Sequence, residues 1–387
     1  MKATELNMYK GVDEIPSNVW QQLPTPTIYF SKGFLKAFEQ GNPRLEPLYY
    51  VIKDGDQILA LAVLQLLSVS LAETGDGLSS GAYLARSIQQ FINKGNTRIL
   101  ICGNLFLSGP YGVHTRDSSQ ITRCYAQVLE TIQATQNQHR AHIYFLKDYP
   151  YDDQVAPEIF IEERFQPFEV EPNMILTLEN SWKTFDDYKQ ALRSKYRNKV
   201  KKADKTSAVL QVNRLTAADI RKHRDTLQEL LAQVTAKAAF NAMNLRIETY
   251  ALLQEEFGES QKKNDAHFIM HGYWMEDKII GFATALVYDQ KLDAHFVGLD
   301  YRYNRTYAIY PRMLNDYVRM GLEYRVKTVN FGRTASEIKS TLGATPQHIR
   351  CYLRHRRTLA NLFFKPLLGY IQRESYHQHE AFKEKGT

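Results

Sequence analysis

Cysteine is scarce in this chain. Only Cys102, Cys124 and Cys351 occur in 387 residues, too few and too scattered for a disulfide framework or a paired CxxC metal site, and the odd number leaves one over in any pairing. They are expected to be buried or incidental thiols, and no metal site is expected. Long apolar runs are missing too, since no stretch approaches the roughly 20 consecutive apolar residues that cross a bilayer. At Met1-Lys-Ala-Thr-Glu-Leu-Asn-Met8 there is neither the apolar core nor the small-residue cleavage site of a secretory signal. The expected compartment is the cytoplasm. RNP, KH and zinc motifs are absent, which removes the commonest nucleic-acid modules.

What is present is an ordinary globular composition, 44% apolar and 24% charged, which excludes a disordered chain. At about 150 residues per domain the length predicts two domains. These are expected over 1–178 and 179–374, with a mobile tail over 375–387. Charge is unevenly spread. Between Lys189 and Lys205 lie eight basic residues (Lys189, Arg193, Lys195, Arg197, Lys199, Lys201, Lys202, Lys205) against one acid, Asp204, a surplus equal to the +7 of the whole chain.

Periodicity predicts the same order of elements in both halves: helices, a hairpin, a strand, a helix and a strand. In the first half Ser31 caps a helix, and the hairpin turns at Asp54-Gly-Asp56. A helix is expected near Tyr83 to Asn93. The strand Thr97 to Gly103, an amphipathic helix Ser118 to Gln136 and the strand His142 to Leu146 follow. In the second half the strand Met174 to Leu178 precedes the basic helix, whose Leu192, Tyr196 and Val200 face inward. Then come a strand at Ala208 to Val212, helices near Asp219 to Ala238 and Glu248 to Phe257, and a hairpin turning at Glu276-Asp277. Strand Leu292 to Leu299, helix Ile309 to Leu322 and strand Thr328 to Phe331 complete the pattern.

Two strand ends carry the chemistry. Alternation along Asp293-Ala-His-Phe-Val-Gly-Leu-Asp300 puts Asp293, His295, Val297 and Leu299 on one face. His295, with a carboxylate two residues away, either removes a proton from an attacking amine or is an ordinary half-exposed strand residue. Tyr301 to Tyr307 reads as a polar aromatic loop before Pro311, which fits the first turn of a helix. Backbone N–H groups near Tyr310 and Arg312 would face an anion. After the second strand, Arg333 and Lys339 sit where a helix dipole disfavours cations unless an anion is bound. The basic helix reads as a solvated face, a phosphate-rich substrate site or an RNA contact.

The runs Leu192-Arg-Ser-Lys-Tyr-Arg-Asn-Lys-Val-Lys-Lys-Ala203, Gly298-Leu-Asp300 with Tyr303-Asn304, and Asn330-Phe-Gly-Arg333 with Lys339 and Gly343-Ala344 together resemble the FemAB-like, peptidoglycan-biosynthesis-type branch of the GNAT acyltransferase superfamily. The N-terminal half, with Val51 to Leu67 and Leu100 to Phe106, is similar to the degenerate first domain of such proteins. The resemblance implies a mixed α/β class with two tandem GNAT-like domains, each a mixed, mostly antiparallel sheet flanked by helices. It implies N-acyl transfer from an acyl thioester, acyl-CoA or an acyl carrier protein, to a primary amine of a peptide, amino-lipid or cell-wall precursor. The donor is expected where Leu292 to Leu299 splays from Thr328 to Phe331. His295, Asp293 and Tyr310 are then the expected catalytic residues. Gly298, Asp300, Asn304, Tyr307, Arg312, Arg333 and Thr334 are assigned to the donor, and Arg193, Lys195, Arg197 and Lys339 to the substrate. Two features depart from the family. No Gly-x-Gly or Gly-x-Ala turn lies between Asp300 and Met313, and no long helical arm of the tRNA-dependent members is present. Aminoacyl transfer from tRNA and a non-catalytic binding module are the alternatives.

Overall fold

The computed structural model describes residues 5–23, 27–69, 97–151, 158–237, 243–258, 266–368 and 375–384. The helix expected near Tyr83 to Asn93 lies outside them. Two compact units emerge. One runs to Val170 and takes in the segment that begins at His348; the other spans Glu171–Ala238 and Asn244–Gln347 together with the C-terminal segment. Among the described residues no helix is long and apolar enough to cross a membrane.

The first unit is built on β1 (Glu5–Tyr9), β2 (Leu45–Asp54), β3 (Gln57–Val69), β4 (Thr97–Cys102), β5 (Val113–Thr115), β6 (Ile143–Pro150) and β7 (Gln166–Glu169). The second carries β8 (Asn173–Thr177), β9 (Gln211–Arg214), β10 (His267–Met275), β11 (Lys278–Tyr288), β12 (Lys291–Leu299), β13 (Thr328–Asn330) and β14 (Thr345–Gln347). A last strand, β15 (Ile349–His355), joins the first sheet although it follows every strand of the second in the chain. The sheet orders are β1-β2-β3-β4-β6-β15-β7, with β5 also beside β3, and β14-β8-β13-β12-β11-β10-β9. Read from opposite ends they match strand for strand, with β4 and β6 standing where β12 and β13 stand. In each sheet that pair is parallel and the other pairings are antiparallel.

Local chemistry explains the elements that matter here. Gly55, at φ +60, supplies the left-handed turn between β2 and β3. Ser31 Oγ accepts from the Phe34 N–H and caps the helix Lys32–Gly41. The basic helix Ser194–Thr206 buries Tyr196, Val200 and Ala203, the inward stripe its i, i+4 spacing requires. Helix Ile309–Glu323 buries Met313, Leu314, Tyr317 and Val318 in one core with Ala283, Leu292 and Leu299 of the sheet.

Three expectations change. The single helix expected near Asp219 to Ala238 breaks at His223 into Ala217–Lys222 and Arg224–Thr235. Tyr301–Tyr307, expected as a loop, is helical, because the Asp300 carboxylate accepts the Arg302 N–H and caps it. The tail is not loose over its described length: Ala381 is buried, Phe382 bridges Leu192, and Arg193 N–H donates to the Ala381 carbonyl. All three cysteines are buried and none is in a disulfide.

Candidate functional site

The second sheet opens in its middle. On one side β12 pairs with β11 from Lys291 to Leu299, whereas on the other it meets β13 only at Lys291↔Thr328, Leu292↔Val329 and Asp293↔Asn330. Beyond that point the β13 chain follows β8 instead: Phe331 N–H donates to the Met174 carbonyl at 2.9 Å, and Met174 N–H to the Gly332 carbonyl at 3.2 Å. The Asn330 carboxamide oxygen accepts the Gly332 N–H at 2.9 Å and sets this turn. Ala294 to Leu299 is therefore left without a strand partner on that side among the described residues. Its burial records the opening. A strand with neighbours on both sides should be covered, yet the five residues from Asp293 to Val297 are all half-buried.

A bulge sits inside this opening. The register with β11 passes from Ala285↔Ala294 to Ala283↔Val297, so Thr284 faces both His295 and Phe296. Thr284 Oγ1 donates to the Phe296 carbonyl at 2.8 Å. The extra residue corrects the alternation read from the sequence. Asp293 and His295 do share a face, but Val297 and Leu299 turn to the other one and join Leu292 and Ala294 in the core of helix Ile309–Glu323. His295 lies 3.2 Å from the Tyr250 hydroxyl through Nδ1, and Asp293 Oδ2 accepts from Tyr288 at 2.7 Å. Tyr250 is fully buried on helix Glu248–Phe257, and burial holds its pKa far above the usual tyrosine range. Sequence reasoning missed it, because no local pattern marks which tyrosine a distant helix will bring to a strand.

Several residues expected to hold an anion are already engaged. Asp300 is buried and paired with Arg302, whose guanidinium, with burial opposing it, keeps the carboxyl below its ordinary pKa. A carboxylate thus occupies the start of that helix. The Tyr310 N–H, expected to face an anion, donates to the Asn304 side chain at 2.9 Å. Burial raises the Tyr310 hydroxyl pKa, so the group stays protonated. Arg312 is not available either: its Nε reaches both oxygens of buried Asp316 at 2.9 Å. Gly298 is set by packing, since a Cβ there would lie 2.2 Å from Phe282. Tyr307 stacks on Tyr303.

The loop after β13 bends sharply. Gly332, Thr334 and Ala335 all have positive φ, at 70, 64 and 48°, a cost that the surroundings must hold in place. Lys339, expected as an anion binder, does the holding: it is buried and donates to the Gly332 and Arg333 carbonyls. Arg333 is half-buried beside the opening and Thr334 is exposed.

Two solved structures share this architecture over nearly the whole chain. FemX matches with a TM-score of 0.53 at 10% identity, covering 93% of this chain and 100% of that one. A tandem GNAT protein from the clavulanic acid biosynthesis pathway matches at 0.51 and 8% identity, covering 91% and 98%. The fold is that of the tandem GNAT proteins. No protein-family model and no curated protein matches the sequence.

The two halves of this tandem GNAT fold treat the same position differently. In the first sheet β3 pairs with β4 up to Leu64↔Cys102 and with β5 from Ala62↔Val113, leaving Val63 opposite an excursion from Gly103 to Gly112. Val63 closes its base, accepting from Gly103 and donating to the Gly112 carbonyl. Where the second sheet has a bulge at His295 and Phe296, the first has a buried loop carrying Phe106 and Leu107. Lys147, directly after the last β4–β6 pair, donates to the Leu107 carbonyl and the Asp148 carboxylate. The loop is thus tied to β6 just past the place that corresponds to the last β12–β13 pair of the second sheet.

In the second GNAT-like unit the basic helix divides its charges. Arg193 pairs with Glu380 and Glu384, and Arg197 bonds the Leu192 carbonyl and Ser194. Lys195, Lys199, Lys201, Lys202 and Lys205 are exposed. None of these five makes an ion pair among the described residues.

Proposed function

We propose that this protein is an N-acyltransferase that moves an acyl group from a thioester donor, acyl-CoA or acyl carrier protein, to a primary amine of a peptide, amino-lipid or cell-wall precursor. The observation that carries this reading is the parting of β12 from β13 after Asp293↔Asn330. An amide-bearing donor arm would add to the free edge from Ala294 to Leu299 as an extra strand, which brings its thioester to the bulge. There His295 acts as the base. With Nδ1–H donated to the Tyr250 oxygen, Nε2 keeps its lone pair and takes a proton from the amine as nitrogen attacks the carbonyl carbon. The C–S bond then breaks, and the thiolate leaves with that proton. Proximity and main-chain donors at the bulge supply the rest, and no covalent enzyme intermediate is needed.

Two observations favour a second reading, aminoacyl transfer from a charged tRNA. The Tyr310 N–H, at the helix start expected to face an anion, is taken by Asn304, and five exposed lysines of one helix make no ion pair among the described residues. Intact-mass spectrometry of amine peptides incubated with acyl-CoA donors of graded length, or with charged tRNA, separates the two. Mass gain with acyl-CoA that survives RNase supports the first; gain only with tRNA, abolished by RNase and suppressed by salt, supports the second. A His295→Ala protein with intact folding and full turnover removes the base assignment. If neither donor yields product nor raises the melting temperature, the unit is a binding module.

A further inference from the structure

The most exposed large apolar side chains among the described residues are Leu359 and Leu362, at 76% and 69%. Both stand on the helix Thr358–Leu368 of the first unit. Three residues apart, they share one face. Their neighbour Asn361 is buried and donates to the Arg164 carbonyl at 2.6 Å, which fixes the helix against that turn and leaves the two leucines outward. An adjacent, exposed apolar pair is unlike the scattered leucines of an ordinary surface.

Its surroundings are cationic. Arg356 and Arg357 immediately precede the helix, both exposed, and Arg164 is exposed where Asn361 binds. None of the three forms an ion pair among the described residues. Arg354, next to them, is the one that takes a carboxylate, Glu163. Burial chiefly lowers the pKa of His142 and His355, and the charges of Arg356 and Arg357 lower both further, while the Arg357 main-chain hydrogen bond works against the shift at His355. Exposed leucines on a helix preceded by unpaired arginines match the chemistry of an interfacial segment, apolar side chains entering the acyl boundary and guanidinium groups meeting lipid phosphates.

We propose that the Thr358–Leu368 helix docks the first unit on an anionic membrane surface, with Leu359 and Leu362 inserted and Arg164, Arg356 and Arg357 on the head groups. The proposal stands apart from the acyl-transfer reading, since it involves no residue of the β12–β13 opening. Co-sedimentation of the full chain with phosphatidylcholine vesicles, with and without phosphatidylglycerol, tests it. Binding is expected only with phosphatidylglycerol and should weaken with salt. Each arginine at the surface is worth roughly fivefold in partitioning, so Arg356→Glu with Arg357→Glu should lower binding more than tenfold. Leu359→Asp with Leu362→Asp should lower it as far, while Val209→Asp, at an exposed site of the other unit, should leave it unchanged. Circular dichroism checks that each variant folds. The proposal is overturned if wild type binds neither vesicle or both equally, or if the leucine and arginine pairs bind as wild type does. It is also overturned if the leucine pair converts a dimer to a monomer in sedimentation velocity, which would make the patch a contact between copies.

Discussion

Lys339 Nζ donates to the main-chain carbonyl of Arg333 at 2.6 Å and to that of Gly332 at 3.1 Å, so a buried ammonium stem holds the strained turn beside the β12–β13 opening. Burial brings its pKa down to about 7; Glu171 works against the shift and Arg333 with it.

Stability should therefore depend on pH through this one side chain. Below about 7 folded and unfolded chains both carry the proton, and the fold bears the full cost of the buried charge. From about 7 up to the ordinary 10.5 only the unfolded chain binds it, so this contribution to stability rises with pH by an amount on the order of a few kcal/mol. Urea unfolding of wild type and Lys339→Met across that range should show wild type gaining on the variant as pH increases. Parallel curves would mean the ammonium is not desolvated.

Removing the Tyr250 hydroxyl tests how His295 is held. Tyr250→Phe should lower kcat about tenfold, the worth of roughly one hydrogen bond, leave KM nearly unchanged and shift the acidic limb of the pH–rate profile. An unaltered profile would detach Tyr250 from the chemistry.

Arg312 separates a donor contact from a structural one. Because its guanidinium shares the buried Asp316 carboxylate with Arg319, Arg312→Met should cost about 2 kcal/mol of stability, read by chemical denaturation, with donor KM unchanged. A raised KM at unchanged stability would restore the role read from the sequence.

Gly298→Ala should be destabilising by about 1–3 kcal/mol through overpacking, since the new methyl meets the Phe282 ring at 2.2 Å. Adding Phe282→Leu should recover part of the loss in melting temperature. If the single variant melts like wild type, the ring moves freely and the glycine is there for another reason.

The repeated order of elements was legible because hairpins, amphipathic helices and strands write their own periods, and the turn at Asp54-Gly-Asp56 and the cap at Ser31 are local, whereas the Asp300 cap was not read and its helix was taken for a loop. The parting of β12 from β13 was anticipated from family resemblance, not from periodicity. The bulge was not readable: nothing in Ala-His-Phe-Val announces an extra residue, because it arises from the register that Thr284 and its neighbours impose across the sheet. Ion pairing was equally hidden. Arg312 and Arg302 look like free cations in a list of residues, and only the fold shows the carboxylates of Asp316 and Asp300 beside them. Tyr250 entered from a helix more than forty positions away in the chain.

On the proposed reading, the Gly103 to Gly112 excursion sets how many donors one chain would carry. With Lys147 tying that loop to the first sheet, the first unit offers no counterpart of the β12–β13 opening among the described residues, so calorimetric titration should saturate at one equivalent per polypeptide despite the doubled architecture.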